Sequence, residues 1–177
     1  MKKTHILFAF ILTSLVAIAA TSWAPTTGSV KFFIKNAGFT VEGTLSGISA
    51  SVKFDENDLT NSSIFASVKV ATINTGINKR DKHLQGEEYF NAAKYPEITL
   101  KSTSITKTSK GYLGKFNVTM KGKTKSVDMP FTFTNSGETG KFSGILKLDR
   151  LDFGVGESSF VLSDDVKIKI TLNVKKK

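Results

Sequence analysis

From Val166 to Val174 the chain reads Val-Lys-Ile-Lys-Ile-Thr-Leu-Asn-Val, apolar and polar residues alternating without a break. Successive side chains on a strand point to opposite faces, so this segment predicts a strand with one aliphatic face and one face of lysine, threonine and asparagine. The same period returns in Phe116/Val118/Met120, in Val127/Met129/Phe131/Phe133 and in Phe142/Leu146/Leu148. Such strands must enclose their apolar faces. What fills the enclosure then sets the function.

Val30–Ile34 reads as the first strand, and Asn36-Ala37-Gly38 as a turn. Phe39 to Phe54 follows as a long strand interrupted by Gly43 and Gly47, and glycine inside a strand pattern marks a bulge or a bend. Ile64 to Val70 alternates again. Period two stops between Thr75 and Tyr95, where helix formers predict one or two short helical turns ending before Pro96. Strand pattern resumes at Ile98 and continues towards Ile105. Turns are expected at Ser109–Gly111 and Lys121–Lys123, a connection at Asn135–Gly140, and a longer loop from Leu151 to Ser163. About eight strands, mostly joined by short turns around one central helical excursion, predict a single all-β domain, barrel or sandwich. The unbroken apolar faces and 14 phenylalanines suit an extended antiparallel β-barrel with an oily interior. Such a barrel either holds a small ligand or fills itself with side chains, and both have the same alternation.

Lys2 and Lys3 precede an apolar run from Ile6 to Ala20, broken only by Thr13 and Ser14, and small residues follow. The pattern predicts a signal peptide over residues 1–22, cleaved after Ala19 or after Ser22, and a mature domain over 23–177 that is periplasmic or secreted. There is no cysteine, hence neither a disulfide nor a lipid-modified N-terminal cysteine. The net charge is +10, or +8 once Lys2 and Lys3 are set aside. Its lysines fall at alternate strand positions or in turns, the pattern of a solvated outer face. With only Arg80 and Arg150 as arginines, nucleic acid is not expected as a partner, because base-reading proteins lean on arginine and exposed aromatics. Transient contact with an anionic membrane surface or head group suits an exported basic protein better.

Little in the sequence supports catalysis. His83 is the one histidine outside the signal, which leaves no imidazole or thiolate cluster for a metal and no argument for a nucleophilic triad. Glu87/Glu88 and Asp164/Asp165 are adjacent in sequence, and adjacent carboxylates do not converge on one substrate atom. No phosphate-cradling glycine loop occurs. Two polar features remain. Arg80-Asp81-Lys82-His83-Leu84 concentrates charge at the start of the irregular segment, either to pin it against the barrel or to touch a ligand. Arg150 shares parity with Phe142, Leu146 and Leu148, so it is expected to face inward and to need an anion: Asp152, Asp81 or a ligand phosphate.

Several segments, in order along the chain, carry a family resemblance: Ser29-Val30-Lys31-Phe32, Ile73-Asn74-Thr75-Gly76 followed by Arg80-Asp81 and His83-Leu84, Tyr89-Phe90-Asn91 and Lys94-Tyr95-Pro96-Glu97-Ile98. Val118-Thr119-Met120-Lys121-Gly122, Asp149-Arg150-Leu151-Asp152-Phe153-Gly154 and Asp165-Val166 complete the set. Together they resemble the YceI-like family of exported bacterial lipid-binding proteins. Trp23–Gly28 departs from the family pattern and keeps only the Ser29 that follows it. The resemblance implies a lipocalin-like barrel whose apolar tunnel takes up an isoprenoid lipid, such as an isoprenoid quinone or polyprenyl phosphate. It implies binding, storage or transport without catalysis, no cofactor, and often a homodimer. The lumen residues expected on this reading are Phe32, Phe39, Val41, Phe116, Val118, Phe131, Phe133, Phe142, Leu146 and Ile168, with Arg80, Asp81, His83 and Arg150 as polar candidates. A stress-linked interaction protein with a filled barrel, or an unrecognised enzyme without lipid cargo, is the rival reading.

Overall fold

The computed structural model describes residues 20–177, so most of the expected signal peptide lies outside the described residues. The strands are β1 (Ser22–Asn36), β2 (Phe39–Leu45), β3 (Ser49–Lys53), β4 (Ser63–Lys69), β5 (Glu97–Thr108), β6 (Gly111–Met120), β7 (Lys123–Ser136), β8 (Thr139–Asp149) and β9 (Leu162–Lys176). One helix, α1 (Asn78–Gln85), lies in the central excursion, and short 3-10 turns cover Val70–Thr72 and Leu151–Phe153.

Neighbouring strands pair antiparallel, and β1 pairs with β9 along nearly its whole length, which closes the sheet. On its other edge β1 pairs with β3 at Ser22 and Trp23 and with β2 from Val30 to Asn36. Strands β2 and β3 therefore lie end to end in one place of the wall, and the barrel has eight places. Gly47, at φ 69°, sits in the break between them, where the left-handed conformation suits glycine. The predicted interrupted strand from Phe39 to Phe54 is this pair.

Strand β1 begins at Ser22 rather than at the expected Val30. Residues 24–28 lack an apolar alternation, yet they pair with Leu172–Lys175 of β9, and the register slips between Pro25 and Thr27. A bulge at that point accommodates the proline, which has no N–H to give to the ladder.

The far edge of β2 has one bridge, between Thr44 and Asn74, closed by reciprocal backbone hydrogen bonds of 2.8 and 2.9 Å. From there the excursion runs through α1 and returns at Pro96, whose carbonyl accepts the Val70 N–H at 2.8 Å. It places Leu84, Tyr89 and Phe90 along the interior that β2 leaves unwalled.

The interior changes character along the barrel axis. On β9 the inward Val166, Ile168 and Ile170 are only half-buried, whereas Leu172 and Val174 are buried. The half beyond Ile170 is solid. There Trp23, Phe54, Tyr112, Phe131 and Phe142 form one buried cluster with Phe133 packed against it. Phe54 stands at its centre, with ring centroids 5.0 to 5.2 Å from Tyr112, Phe133 and Phe142 in edge-on contacts. Such pairs add about 0.5–1.5 kcal/mol each beyond the area they bury.

Candidate functional site

The other half is hollow. A cavity of about 370 Å³ runs between the inward faces of β1, β2, β4, β5, β6, β8 and β9 and the inner side of the excursion. Strand parity dictates its walls: Val30, Phe32 and Ile34 come from β1, Val118 and Met120 from β6, and Leu146 and Leu148 from β8. Phe32 is accommodated because its ring lies across Gly43, its cross-strand partner, where a β-carbon would collide with it.

Polar residues gather at the end where the turn after β1 and helix α1 converge. Asn36, Thr75, Arg80, His83 and Arg150 line the cavity, and Asn36 and His83 are exposed, so this end is its mouth. Thr75 organises the group. Its backbone N–H and hydroxyl donate to Asp81 Oδ1 at 2.8 and 2.6 Å, while Arg80 donates through Nε to Thr75 Oγ1 at 2.7 Å and through Nη2 to Thr75 O at 2.8 Å. Asp81 is buried, but its contacts hold the approach to α1 rather than the cavity wall. His83 Nε2 lies 3.0 Å from Glu88 Oε2 on the surface, and its ring meets Tyr89 edge-on at 5.0 Å.

Arg150 faces inward as its parity predicts and is 3% exposed. Its carboxylate partner is Asp164, neither of the two carboxylates expected, Asp152 and Asp81. Nη2 donates to Asp164 Oδ1 at 2.8 Å and to Glu157 O at 2.8 Å, Nη1 to Val155 O at 2.9 Å, and Nε to Ser163 O at 3.0 Å. Asp152 instead meets Lys125 on the surface at 3.4 Å. Arg150 thus gathers the carbonyls of the 155–163 loop, a role its guanidinium fork suits because it donates in several directions at once.

The ten apolar residues expected in the lumen divide three ways. Phe32, Val41, Val118, Leu146 and Ile168 line the cavity. Phe116, Phe131, Phe133 and Phe142 face inward but belong to the packed clusters that end it. Phe39 is a correction: it is 78% exposed. It shares parity with Val41, but it stands at the hairpin tip beside the Ala37-Gly38 turn, above the rim, where no wall opposes it. Leu84, Tyr89 and Phe90 line the cavity without having been expected there. Their one sequence signal is the adjacent apolar pair Tyr89-Phe90 inside an otherwise polar stretch.

Outside the mouth, large apolar side chains stand exposed among polar ones. The Ala37 N–H donates to Val161 O at 2.7 Å and ties the hairpin tip to the loop before β9. Phe39, Phe160 and Val161 stand exposed on these two joined segments, and Ile77 is exposed just before α1.

The fold recurs among solved structures. That of Burkholderia cenocepacia BcnA superposes with a TM-score of 0.78 at 29% identity, covering 82% of this chain and 95% of that one. A polyisoprenoid-binding domain from Saccharophagus degradans, implicated in plant cell wall breakdown, gives 0.67 at 13% identity over 90% of this chain and 100% of that one, which bears on the fold alone. Among curated proteins, a UPF0312 protein of Photorhabdus laumondii is 33% identical over 99 residues, 55% of this chain and 52% of its own length. One of Yersinia enterocolitica is 30% identical over 109 residues, 61% of this chain and 57% of its own. The chain spans about half the length of these curated relatives. The match to the YceI-like domain, in contrast, runs over residues 22–174, from the first residue of β1 almost to the end of β9, and on that span the chain belongs to the YceI-like family.

Proposed function

We propose that this protein binds an isoprenoid lipid, tail inside the barrel and polar end at the mouth, and carries or stores it without catalysis. The observation that carries this reading is the cavity itself: walls of aliphatic and aromatic side chains, with polar groups collected at one open end. Burying a hydrocarbon chain there contributes ~0.8 kcal/mol per methylene without any directed contact. Arg80, His83 and Arg150 all line the cavity at this end and are the candidates for meeting a quinone or phosphate head, Arg80 steadied by Thr75 and Arg150 by its own loop. Membership of the YceI-like family, one of whose fold neighbours is a polyisoprenoid-binding domain, is what suggests this class of cargo.

Delivery from a bilayer follows from the same end of the molecule. The exposed Phe39, Phe160 and Val161 continue the apolar cavity outward, and aromatic and aliphatic side chains of this kind partition into a membrane interface. The net positive charge favours an anionic surface. Export supplies the location, and cleavage after Ala19 suits the fold better than cleavage after Ser22. Thr21 O accepts the Phe54 N–H at 2.8 Å and Ser22 O accepts the Lys177 N–H at 3.0 Å, pairings that the later cut would remove.

The test is mass spectrometry on protein exported by its native host. A prenyl lipid in the organic extract and an intact mass beginning at Ala20 are expected. An extract holding no lipid, or only fatty acyl lipids, overturns the cargo assignment.

A further inference from the structure

One side of the hollow half is closed by the central excursion rather than by sheet, and few directed bonds hold that excursion down. Its ends are fixed, at the Thr44–Asn74 bridge and at Pro96, whose carbonyl accepts the Val70 N–H. Between these ends, among the described residues, hydrogen bonds leave the segment at two places. Gln85 Nε2 reaches Ala71 O at 3.5 Å, the limit of a hydrogen bond. Glu88 O accepts the Gly156 N–H at 3.0 Å and the Lys121 ammonium at 2.8 Å. The segment is otherwise bonded to itself, as where Phe90 N–H donates to Leu84 O at 3.0 Å and Ala92 N–H to Gln85 O at 2.9 Å. It is a unit hinged at both ends and fastened in the middle at one carbonyl.

The fastening comes from an unusual residue. Met120 pairs with Lys123, so Lys121 and Gly122 are the two residues of a tight turn between β6 and β7, both at positive φ, 50° and 74°. Such turns favour asparagine or aspartate before glycine, and a lysine at positive φ is uncommon. From that position Lys121 Nζ donates to Glu88 O and, at 2.7 Å, to Gly154 O. These two carbonyls immediately precede Tyr89 and Val155, which line the cavity from opposite sides of the seam. Close packing follows the same seam: a β-carbon at Gly156 would sit 2.9 Å from the Tyr89 ring, and one at Gly122 would sit 2.7 Å from the Tyr95 ring. We infer that residues 74–96 form a flap over the cavity, and that Lys121 is the positioning residue that clasps it to the loop after β8. Helix α1 and His83 ride on this flap, so its opening widens the mouth through which cargo passes. The clasp is a property of the empty chain, and its bearing on cargo rests on the binding function proposed above.

Two variants of the mature chain test this. Lys121→Met keeps the stem and removes the ammonium. Lys121→Asn supplies a residue that the turn favours but that is too short to reach either carbonyl, so it separates the clasp from the hairpin. The Gly156 N–H crosses the seam, and its hydrogen exchange, followed by NMR on lipid-free protein, reads the opening directly. Exchange there is expected to quicken roughly tenfold in both variants, because a charged hydrogen bond to the flap is lost, while amides of the β1–β9 ladder keep their rates. Release of radiolabelled farnesol, a prenyl alcohol, into excess phosphatidylcholine vesicles is expected to quicken several-fold. Wild-type exchange at Gly156 in both variants overturns the clasp. Acceleration spread evenly over the barrel amides overturns it too, since Lys121 is then a general stabiliser. Faster exchange at Gly156 with unchanged farnesol release overturns the flap as the passage for cargo. Wild-type protein that takes up no farnesol overturns the binding function instead, and the exchange rates still decide the clasp.

Discussion

Tyr112 shows how burial at one residue becomes a pH dependence of the whole fold. It is 5% exposed, and burial pushes its phenol from 10.0 up to about 12, with the hydrogen bond to Glu56 and the nearby carboxylate charge adding to the rise. A phenolate there would be poorly solvated and would face a like charge. Because the folded value lies above the unfolded one, the protonated phenol stabilises the fold fully below pH 10, and that contribution is lost as pH rises towards 12. The difference is worth roughly 2–3 kcal/mol. Melting temperature measured against pH should therefore fall more steeply across this window in the wild type than in Tyr112→Phe. Parallel curves would assign the alkaline loss to other groups. Single residues were legible in the sequence to different degrees. Counting in twos from Phe142 was enough to turn Arg150 inward, since parity is a property of the strand. Its partners were not readable, because the carbonyls it gathers are brought together only when the 155–163 loop folds over it. Phe39 marks the same limit: parity gives the face of a strand but not the height above the rim.

At the scale of elements, two segments far apart in sequence form one rim. The hairpin tip between β1 and β2 and the loop before β9 are joined by the Ala37–Val161 hydrogen bond, and both present their apolar residues outward. If the rim meets a donor bilayer, the paired change Phe39→Ser and Phe160→Ser should slow prenyl-lipid transfer from anionic vesicles several-fold. Equilibrium affinity for detergent-delivered lipid should stay unchanged, because neither residue lines the cavity. Stopped-flow transfer kinetics beside equilibrium binding measure both. An unaltered transfer rate together with a change in oligomeric state would make the rim a contact between two copies of the chain instead. The strands were readable because each carries a repeating apolar face. Helix α1 was readable only as the place where that period stops, since Leu84 is its single aliphatic residue. A wall made from one short helix and an irregular segment has no period, so beyond the adjacent apolar pair Tyr89-Phe90 nothing pointed Leu84, Tyr89 and Phe90 to the interior.

For the whole molecule, the barrel joins a solid half to a hollow one, and these should answer differently to the same kind of damage. Alternation alone could not distinguish them: Phe142 and Leu146 have the same parity on β8, yet one packs and the other lines space. The difference appears in unfolding energetics. Phe54→Ala removes a ring enclosed by four others and should cost ~3–5 kcal/mol, since the rigid surroundings leave a cavity behind. Ile168→Ala should cost about 2 kcal/mol without lipid, the low end for such a change, because one side of Ile168 already faces space and has fewer contacts to lose. Bound lipid reverses part of this asymmetry. A ligand at a hundred times its Kd stabilises the native state by about 2.7 kcal/mol, and that gain exists only where the ligand has a wall to touch. Denaturant titrations with and without farnesol should show Ile168→Ala losing part of the ligand's stabilisation and a small fraction of the intrinsic stability. Phe54→Ala, if it folds, should show the converse, a large intrinsic loss with the farnesol increment preserved. Equal intrinsic losses in the two variants, or an increment that depends on Phe54 and not on Ile168, would mean that the halves are energetically one core and that the lipid does not occupy the space between β1, β8 and β9.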